Sequence, residues 1–236
     1  MTSAGVIFDL DGVLVDSEPL QHQAYNRVLE RFGIRVEADE YGREWIAAGR
    51  GPEYAVQTYG LPLTPDELRR LKDPVYHALL HEAAALVPGA REVLARLSGA
   101  FPVALATNSS QTDTAFILDR FDLRGFFTAV VTREQYHHPK PAPDAFRTAA
   151  DRLQLAPARC VVIEDAHKGI IAAAGAGCAC IAFPHGYTAG GDCSRAHTVI
   201  GSLDEATVAL IEALVNGTPR DDGARQGRPG FKPRAD

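Results

Sequence analysis

Short runs of apolar residues alternate with helical patterns along most of the chain. Runs rich in Val, Ile and Ala predict strands at residues 5–8, 103–106, 129–132, 161–163 and 179–183. Helical patterns between these runs predict helices at residues 88–97, 112–120, 143–153 and 167–175. Such repeated alternation is typical of a parallel sheet that carries helices on both faces. The sequence therefore predicts an α/β fold with a parallel sheet at its core.

Residues 17–86 interrupt this alternation, because they contain helical patterns and no convincing buried strand. A first helix is predicted by apolar residues at every fourth position, which are Leu20, Ala24, Val28 and Phe32. A second helix is predicted to begin at the capping-box pattern Thr64-Pro65-Asp66-Glu67. Pro74 is expected to kink or end that second helix. We interpret this stretch as an all-helical insertion.

The expected domain division follows from this interruption. Residues 1–16 and 87–217 are predicted to form the core domain, and residues 17–86 are predicted to form a helical cap domain. Residues 218–236 are rich in Pro, Gly, Arg and Asp, and their only large apolar residue is Phe231. A segment of this composition cannot bury enough apolar surface to order itself, so a disordered tail is expected.

Charge and composition exclude several classes of function. The chain has 236 residues, of which 46% are hydrophobic and 23% charged, as in an ordinary globular protein. A net charge of -6 argues against general binding to nucleic acid or to an anionic membrane surface. The first apolar run is too short for a signal peptide or for a membrane span of roughly 20 residues. A cytoplasmic protein, a monomer or weak homodimer, is expected.

The four cysteines give no clear sign of a metal site. Cys160, Cys178, Cys180 and Cys193 lack the paired spacing of zinc ligands, and disulfides are not expected in a reducing compartment. We interpret them as small buried hydrophobic residues. A three-cysteine metal cluster stays open as an alternative, because Cys178 and Cys180 point to the same side of a strand.

Two carboxylates directly follow the first predicted strand. Asp9 and Asp11 are two positions apart, so both are expected to face the crevice where open α/β sheets bind ligands. Two carboxylates at this distance repel each other, and a hard cation held by oxygen ligands, most simply Mg²⁺, would relieve the repulsion. The alternative is a pair of ordinary turn residues before Gly12.

Three further motifs follow later strands. Thr107-Asn108-Ser109 offers a hydroxyl and successive backbone N–H groups, which suit either an anion site or a simple helix cap. Lys140 lies between prolines that stiffen the backbone around its charge. Glu164-Asp165 places two acids at the end of a buried strand, where charge is costly unless a metal or cation compensates it.

In order, the four motifs are Asp9-Leu10-Asp11-Gly12, Thr107-Asn108, Lys140-Pro141 and Glu164-Asp165. With these motifs the chain resembles the haloacid dehalogenase superfamily, in particular the capped subfamily IA, from about residue 6 to residue 214. The resemblance implies a Rossmann-like parallel core sheet and a helical cap inserted after the first motif.

The same resemblance implies a role for each motif residue. Asp9 would be the nucleophile and Asp11 the general acid and base. Mg²⁺ would be held by Asp9, Glu164, Asp165 and the backbone carbonyl of Asp11. The phosphate group would be bound by Thr107, Asn108 and Lys140. A halide leaves without a proton and needs no metal, so this set of residues argues against dehalogenase activity.

The implied activity is a Mg²⁺-dependent phosphatase that acts on a small phosphorylated metabolite, such as a sugar phosphate, a polyol phosphate or phosphoglycolate, through an aspartyl-phosphate. A phosphosugar mutase resembling β-phosphoglucomutase is the first alternative, and a catalytically silent binding protein is the second. The silent protein should lack a motif residue, and none is missing.

Four cap residues bear on substrate specificity. Gln21 stands where the mutase carries a hinge histidine, with His22 one position later, and this departure favours the phosphatase. Arg50 and Lys72 fall roughly where the mutase cap presents cations to a second phosphate. All four residues are therefore candidate specificity residues.

Overall fold

A computed structural model describes residues 4–217. The core is a six-stranded parallel sheet with the strand order β3-β2-β1-β4-β5-β6. The strands are β1 (Gly5–Phe8), β2 (Val103–Ala106), β3 (Ala129–Val131), β4 (Cys160–Glu164), β5 (Ala179–Ala182) and β6 (Thr198–Val199). The five predicted strands are confirmed to within one residue at each end. Strand β6 escaped prediction because it has only two residues.

Helices cover both faces of the sheet, as the alternation predicts. One face carries α5 (Ala90–Ser98), α6 (Gln111–Arg120) and α9 (Val208–Asn216), and the other carries α7 (Asp144–Arg152) and α8 (His167–Ala176). Successive strand residues point to opposite faces, so Val6 and Phe8 join one apolar cluster whereas Ile7 joins the other. The four predicted core helices are confirmed with ends shifted by at most two residues, and α9 is additional to them.

The secondary-structure elements of the inserted segment, residues 17–86, are all helices. It contains α1 (Glu18–Leu29), α2 (Ala38–Glu40), a π-helical stretch (Tyr41–Ala47), α3 (Gly51–Tyr59) and α4 (Pro65–Ala83). Leu20, Ala24 and Val28 are buried as expected, but Phe32 is 37% exposed. The prediction for Phe32 was wrong because α1 ends at Leu29 and a 3₁₀ turn follows, which breaks the four-residue periodicity.

Helix α4 begins at the predicted capping box but does not end at Pro74. The Glu67 backbone N–H donates to Thr64 Oγ1 at 3.2 Å, and the Thr64 N–H donates to Glu67 Oε2 at 2.8 Å. The helix then continues through Pro74 to Ala83. Burial of Leu68 before the proline and Tyr76 after it compensates for the one backbone donor that proline removes.

The inserted segment contacts the core in several places, among them its base, helix α4 and Tyr187. At its base, the Asp16 N–H donates to the Ala85 carbonyl at 3.0 Å, and the Val87 N–H donates to the Leu14 carbonyl at 3.0 Å. Far from this base, Tyr187 of the loop after β5 packs into the segment's own apolar cluster. Contacts at both ends hold the segment over the carboxyl edge of the sheet.

The contact of Tyr187 is specific. Its hydroxyl lies 2.9 Å from His22 Nδ1, and its ring meets the Tyr41 ring edge-on with centroids 5.2 Å apart. Tyr187 is therefore the core residue that joins the cluster around Tyr41 and Trp45.

The cysteines lie apart from the acidic cluster. Cys160, Cys178 and Cys180 are buried and Cys193 is half-buried. Within residues 4–217, the one cluster of metal-ligating side chains contains no cysteine, so the three-cysteine alternative is wrong. No helix within this range combines the length and the apolar character needed to cross a membrane. The predicted tail, residues 218–236, lies outside the described residues.

The Tyr187→Ala variant should loosen the inserted segment, because it removes both the ring contact with Tyr41 and the hydrogen bond to His22. We expect faster amide hydrogen exchange in Tyr41–Ala47, with unchanged protection in α7 on the core sheet. The control is Phe32→Ala, which truncates a partly exposed aromatic residue of the same segment. Equal exchange in Tyr187→Ala and the wild type would show that this contact does not hold the segment.

Candidate active site

The ends of three neighbouring strands place the sequence-predicted residues side by side. Strand β1 lies between β2 and β4, and it is followed by Asp9, whereas β2 is followed by Thr107 and β4 ends at Glu164. The chain leaves β1 to build one half of the sheet and returns beside β1 to build the other. Ligands bind open α/β sheets at such a switch point, outside the carboxyl ends of the strands.

Three buried carboxylates meet at this switch point. Oxygen atoms of Asp9, Glu164 and Asp165 lie within 4.8 Å of one another. Burial raises the pKa of Glu164 and of Asp165 well above the ordinary range, and the charge of Asp9 raises both further. Glu164 Oε2 is buried and has no hydrogen-bond partner among residues 4–217. An all-oxygen set with an unsatisfied buried acceptor fits a hard divalent cation such as Mg²⁺.

Two glycines leave the space that these acids occupy. A Cβ atom at Gly169 would lie 1.5 Å from Glu164 Oε1, and one at Gly12 would lie 2.0 Å from Asp165 Oδ2. Gly12 also has a positive φ of 75°, which favours glycine. Both carboxylates therefore depend on a neighbouring residue without a side chain.

Lys140 supplies the positive charge of the centre. Its Nζ lies 2.6 Å from Asp9 Oδ1 and 3.6 Å from Glu164 Oε2. Burial opposes its charged form, but the charges of Asp9 and Glu164 outweigh this and raise the pKa of Lys140 above the ordinary lysine value. Lys140 therefore remains a cation although it is buried.

Asp11 lies beside this cluster in a different environment. Ser17 Oγ donates to Asp11 Oδ1 at 2.6 Å, while Thr107 Oγ1, at 3.3 Å, and Ser109 Oγ donate to Asp11 Oδ2. Burial and the charge of Asp9 raise the pKa of Asp11, and the hydrogen bonds from Ser109 and Ser17 partly offset that rise. Asp11 is therefore poised to hold a proton more readily than an exposed aspartate.

Tyr136 fixes the loop that carries Thr107 and Asn108. Its hydroxyl lies 2.9 Å from the Thr107 carbonyl and 2.7 Å from Asn108 Oδ1, which also accepts the Lys140 backbone N–H at 3.1 Å. The predicted phosphate-binding residues thus share one network. Neither Tyr136 nor Ser17 was among the predicted site residues: Tyr136 contacts residues far away in sequence, and Ser17 lies six positions after Asp11, outside the four motifs.

This geometry can be set beside that of known proteins. Residues 4–177 match the family model described as haloacid dehalogenase-like hydrolase. The chain belongs to this family.

Similar proteins cover between 74% and 90% of the chain. The fructose-1-phosphate phosphatase YqaB of Escherichia coli is 33% identical over 74% of this chain and 93% of its own length. A phosphorylated carbohydrates phosphatase of Thermotoga maritima is 34% identical over 88% of this chain and 90% of its own. The crystal structure of CbbY from Rhodobacter sphaeroides in complex with phosphate matches with a TM-score of 0.74 at 27% identity, covering 90% of this chain and all of that one (100%).

In this haloacid dehalogenase-like hydrolase, a cavity of about 930 Å³ lies next to the acidic cluster. Residues of the core and of the inserted segment line it. Gln21, Arg50 and Lys72, predicted as specificity residues, line it. His22 is not among the lining residues, because its Nδ1 meets the Tyr187 hydroxyl and its Nε2 lies 2.7 Å from the Val36 carbonyl. His22 therefore contacts Tyr187 of the loop after β5 and does not face the cavity.

Lys168 also lines this cavity, although the sequence motifs did not single it out. Its charge lowers the pKa of Asp11 and of Asp165, in opposition to the stronger effect of burial. The residue follows the Glu164-Asp165 motif by three positions, at the start of α8. In the sequence, only the position of Lys168 just after the fourth motif could have indicated that it lines the cavity.

A methyl group at Gly169 should displace the Glu164 carboxylate. We expect Gly169→Ala to lower the free energy of unfolding by about 1–3 kcal/mol, because the new Cβ overlaps a buried side chain. The matched control is Gly175→Ala in the same helix, whose Cβ would meet nothing closer than 3.6 Å. That control should be neutral or stabilising by up to about 1 kcal/mol. Urea unfolding of both variants measures the difference, and equal stabilities would contradict this steric account.

Proposed function

We propose that this haloacid dehalogenase-like hydrolase is a Mg²⁺-dependent phosphatase that hydrolyses a small phosphorylated metabolite through a phosphorylated Asp9. The observation that carries the proposal is the buried contact of Lys140 with Asp9 beside Glu164 and Asp165, at the floor of one cavity. This arrangement combines a carboxylate with the positive charge that an anionic substrate requires.

In the first step, an Asp9 carboxylate oxygen attacks the phosphorus atom, and the bond between phosphorus and the alcohol oxygen breaks. Lys140 balances the charge of the phosphate oxygens, and Thr107 and Asn108 orient them. Mg²⁺, held by Asp9, Glu164, Asp165 and the Asp11 backbone carbonyl, would supply further positive charge. Asp11 donates its proton to the leaving alcohol oxygen, a role that its raised pKa supports.

In the second step, water attacks the phosphorus atom of the phosphorylated Asp9. Asp11, now ionised, removes a proton from this water, and the Asp9 carboxylate leaves as inorganic phosphate forms. Division of the reaction into two displacements lets one carboxyl group act first as an acid and then as a base.

We further propose that residues 17–86 act as a cap that opens between these two steps. The similarity to phosphatases of fructose 1-phosphate and of phosphorylated carbohydrates supports a sugar phosphate as substrate. A cytoplasmic location and a monomer or weak homodimer stay predictions. The mutase alternative would require conversion of glucose 1-phosphate to glucose 6-phosphate with little release of phosphate.

The Asp9→Asn variant should lose turnover while it keeps its fold. An amide cannot form the phosphorylated intermediate, and the loss of one charge from a crowded acidic site should not reduce stability. Phosphate release from a sugar phosphate measures activity, and circular dichroism with thermal unfolding measures the fold. A folded variant with near-normal phosphate release would rule out Asp9 as the nucleophile.

Mg²⁺ should stabilise the protein more at about pH 8 than at about pH 5. The folded-state pKa values of Glu164 and Asp165 are raised, so the metal-free folded protein binds more protons than the unfolded chain. Its stability therefore falls as the pH rises from the ordinary carboxyl range through these raised values. Mg²⁺ competes with protons for the same oxygens, so its effect on the Tm should grow with pH.

Thermal unfolding with Mg²⁺ and with EDTA at both pH values provides the measurement. An equal or smaller Mg²⁺-induced rise in Tm at the higher pH would contradict metal binding by the acidic cluster.

A further inference from the structure

The inserted segment places three cations in the wall of the active-site cavity: Arg50, Arg69 and Lys72. Such cations suggest at first sight a site for a second anionic group, distant from the phosphate that is transferred. The attraction depends, however, on whether these charges are free. Each of the three already has an acidic partner within the segment.

Arg69 is paired twice. Its Nη2 lies 2.6 Å from Glu53 Oε1, and its Nη1 lies 2.6 Å from Asp66 Oδ1. Glu53 itself lines the cavity, so a second phosphate that approaches Arg69 would also approach this carboxylate. The pair offers far less attraction to an anion than a lone guanidinium would.

The other two cations are compensated in the same way. Arg50 Nη2 donates to Glu44 Oε2, and Glu44 Oε1 also accepts from Arg43 Nε at 2.8 Å, so the two arginines share this acid. Lys72 Nζ lies 3.0 Å from Asp73 Oδ1 and donates to Gln21 Oε1 at 2.9 Å. A substrate anion would have to displace these partners before it gained a contact.

A second carboxylate and several aromatic rings complete this wall. Glu18 lines the cavity and accepts a hydrogen bond from the Tyr41 hydroxyl at 3.0 Å, which leaves it able to accept from a substrate hydroxyl. Tyr25, Tyr41 and Trp45 also belong to the cavity lining, but they are buried in the segment's apolar cluster, so they contribute neutral backing to the wall.

We propose that the substrate is a phosphate monoester of a neutral, polyhydroxylated carbon chain, and that the wall discriminates against a second phosphate or a carboxylate. This inference rests on the proposed phosphatase function and names the substrate class of the same site. Its specificity-determining residues are the acids that neutralise the wall cations, above all Glu53 and Glu44.

The first test compares kcat/KM for fructose 1-phosphate, fructose 1,6-bisphosphate and phosphoglycolate with the Mg²⁺-loaded wild type. Fructose 1-phosphate should exceed each of the other two by about tenfold or more. A preference for the bisphosphate or for phosphoglycolate would overturn the inference while the phosphatase function stands. Failure to hydrolyse any phosphate ester would overturn both.

The second test removes the charge of one acidic partner at a time and leaves the wall cations in place. Glu53→Gln keeps the side-chain shape and frees Arg69 from one partner, and Glu44→Gln does the same for Arg50. Each should raise the ratio of kcat/KM for the bisphosphate to that for the monophosphate by about fivefold, since exposed pairs contribute modestly.

The matched control for these variants is Glu37→Gln. Glu37 pairs with Arg35 at 3.5 Å, and neither residue lines the cavity. It should leave the ratio unchanged. An unchanged ratio in both Glu53→Gln and Glu44→Gln would overturn the proposed charge compensation.

Discussion

The balance of charge around Asp9 is the constraint on which the rest of the site depends. Three carboxylates are buried at the ends of β1 and β4, and one buried ammonium group, that of Lys140, contacts Asp9 and lies near Glu164. Burial raises the pKa values of Glu164 and Asp165, and the charge of Asp9 raises them further, because one cation cannot neutralise three acids. A divalent cation would complete this balance.

The fold holds the three carboxylates close together although their negative charges repel one another. Parallel strands bring distant segments to one edge of the sheet, and Gly12 and Gly169 give the acids room. Tyr136 joins the Thr107 loop to the Lys140 backbone through Asn108. The inserted segment covers this edge, held at its base and by Tyr187, and the cations of its cavity wall have acidic partners.

Sequence patterns predicted the sheet and the meeting of the motif acids at its edge, because both follow from local rules. Apolar runs mark buried strands, and acids directly after such a run must lie at the carboxyl edge, as Asp9 does. Local rules failed where tertiary packing decides. Phe32 leaves the apolar stripe, because α1 ends at Leu29. The pairing of Arg69 with Glu53 likewise follows from how α3 and α4 pack, which no spacing in the sequence reveals.

The central claim is that Asp9 carries the phosphoryl group between two displacements. The most direct test is rapid acid quenching of the Mg²⁺-loaded enzyme during a single turnover of a sugar phosphate, followed by mass spectrometry of its peptides. The account predicts a transient phosphoryl group on Asp9 that forms and decays as the substrate is consumed. Full turnover with no phosphorylated peptide at any quench time, or with the group on another residue, would contradict it.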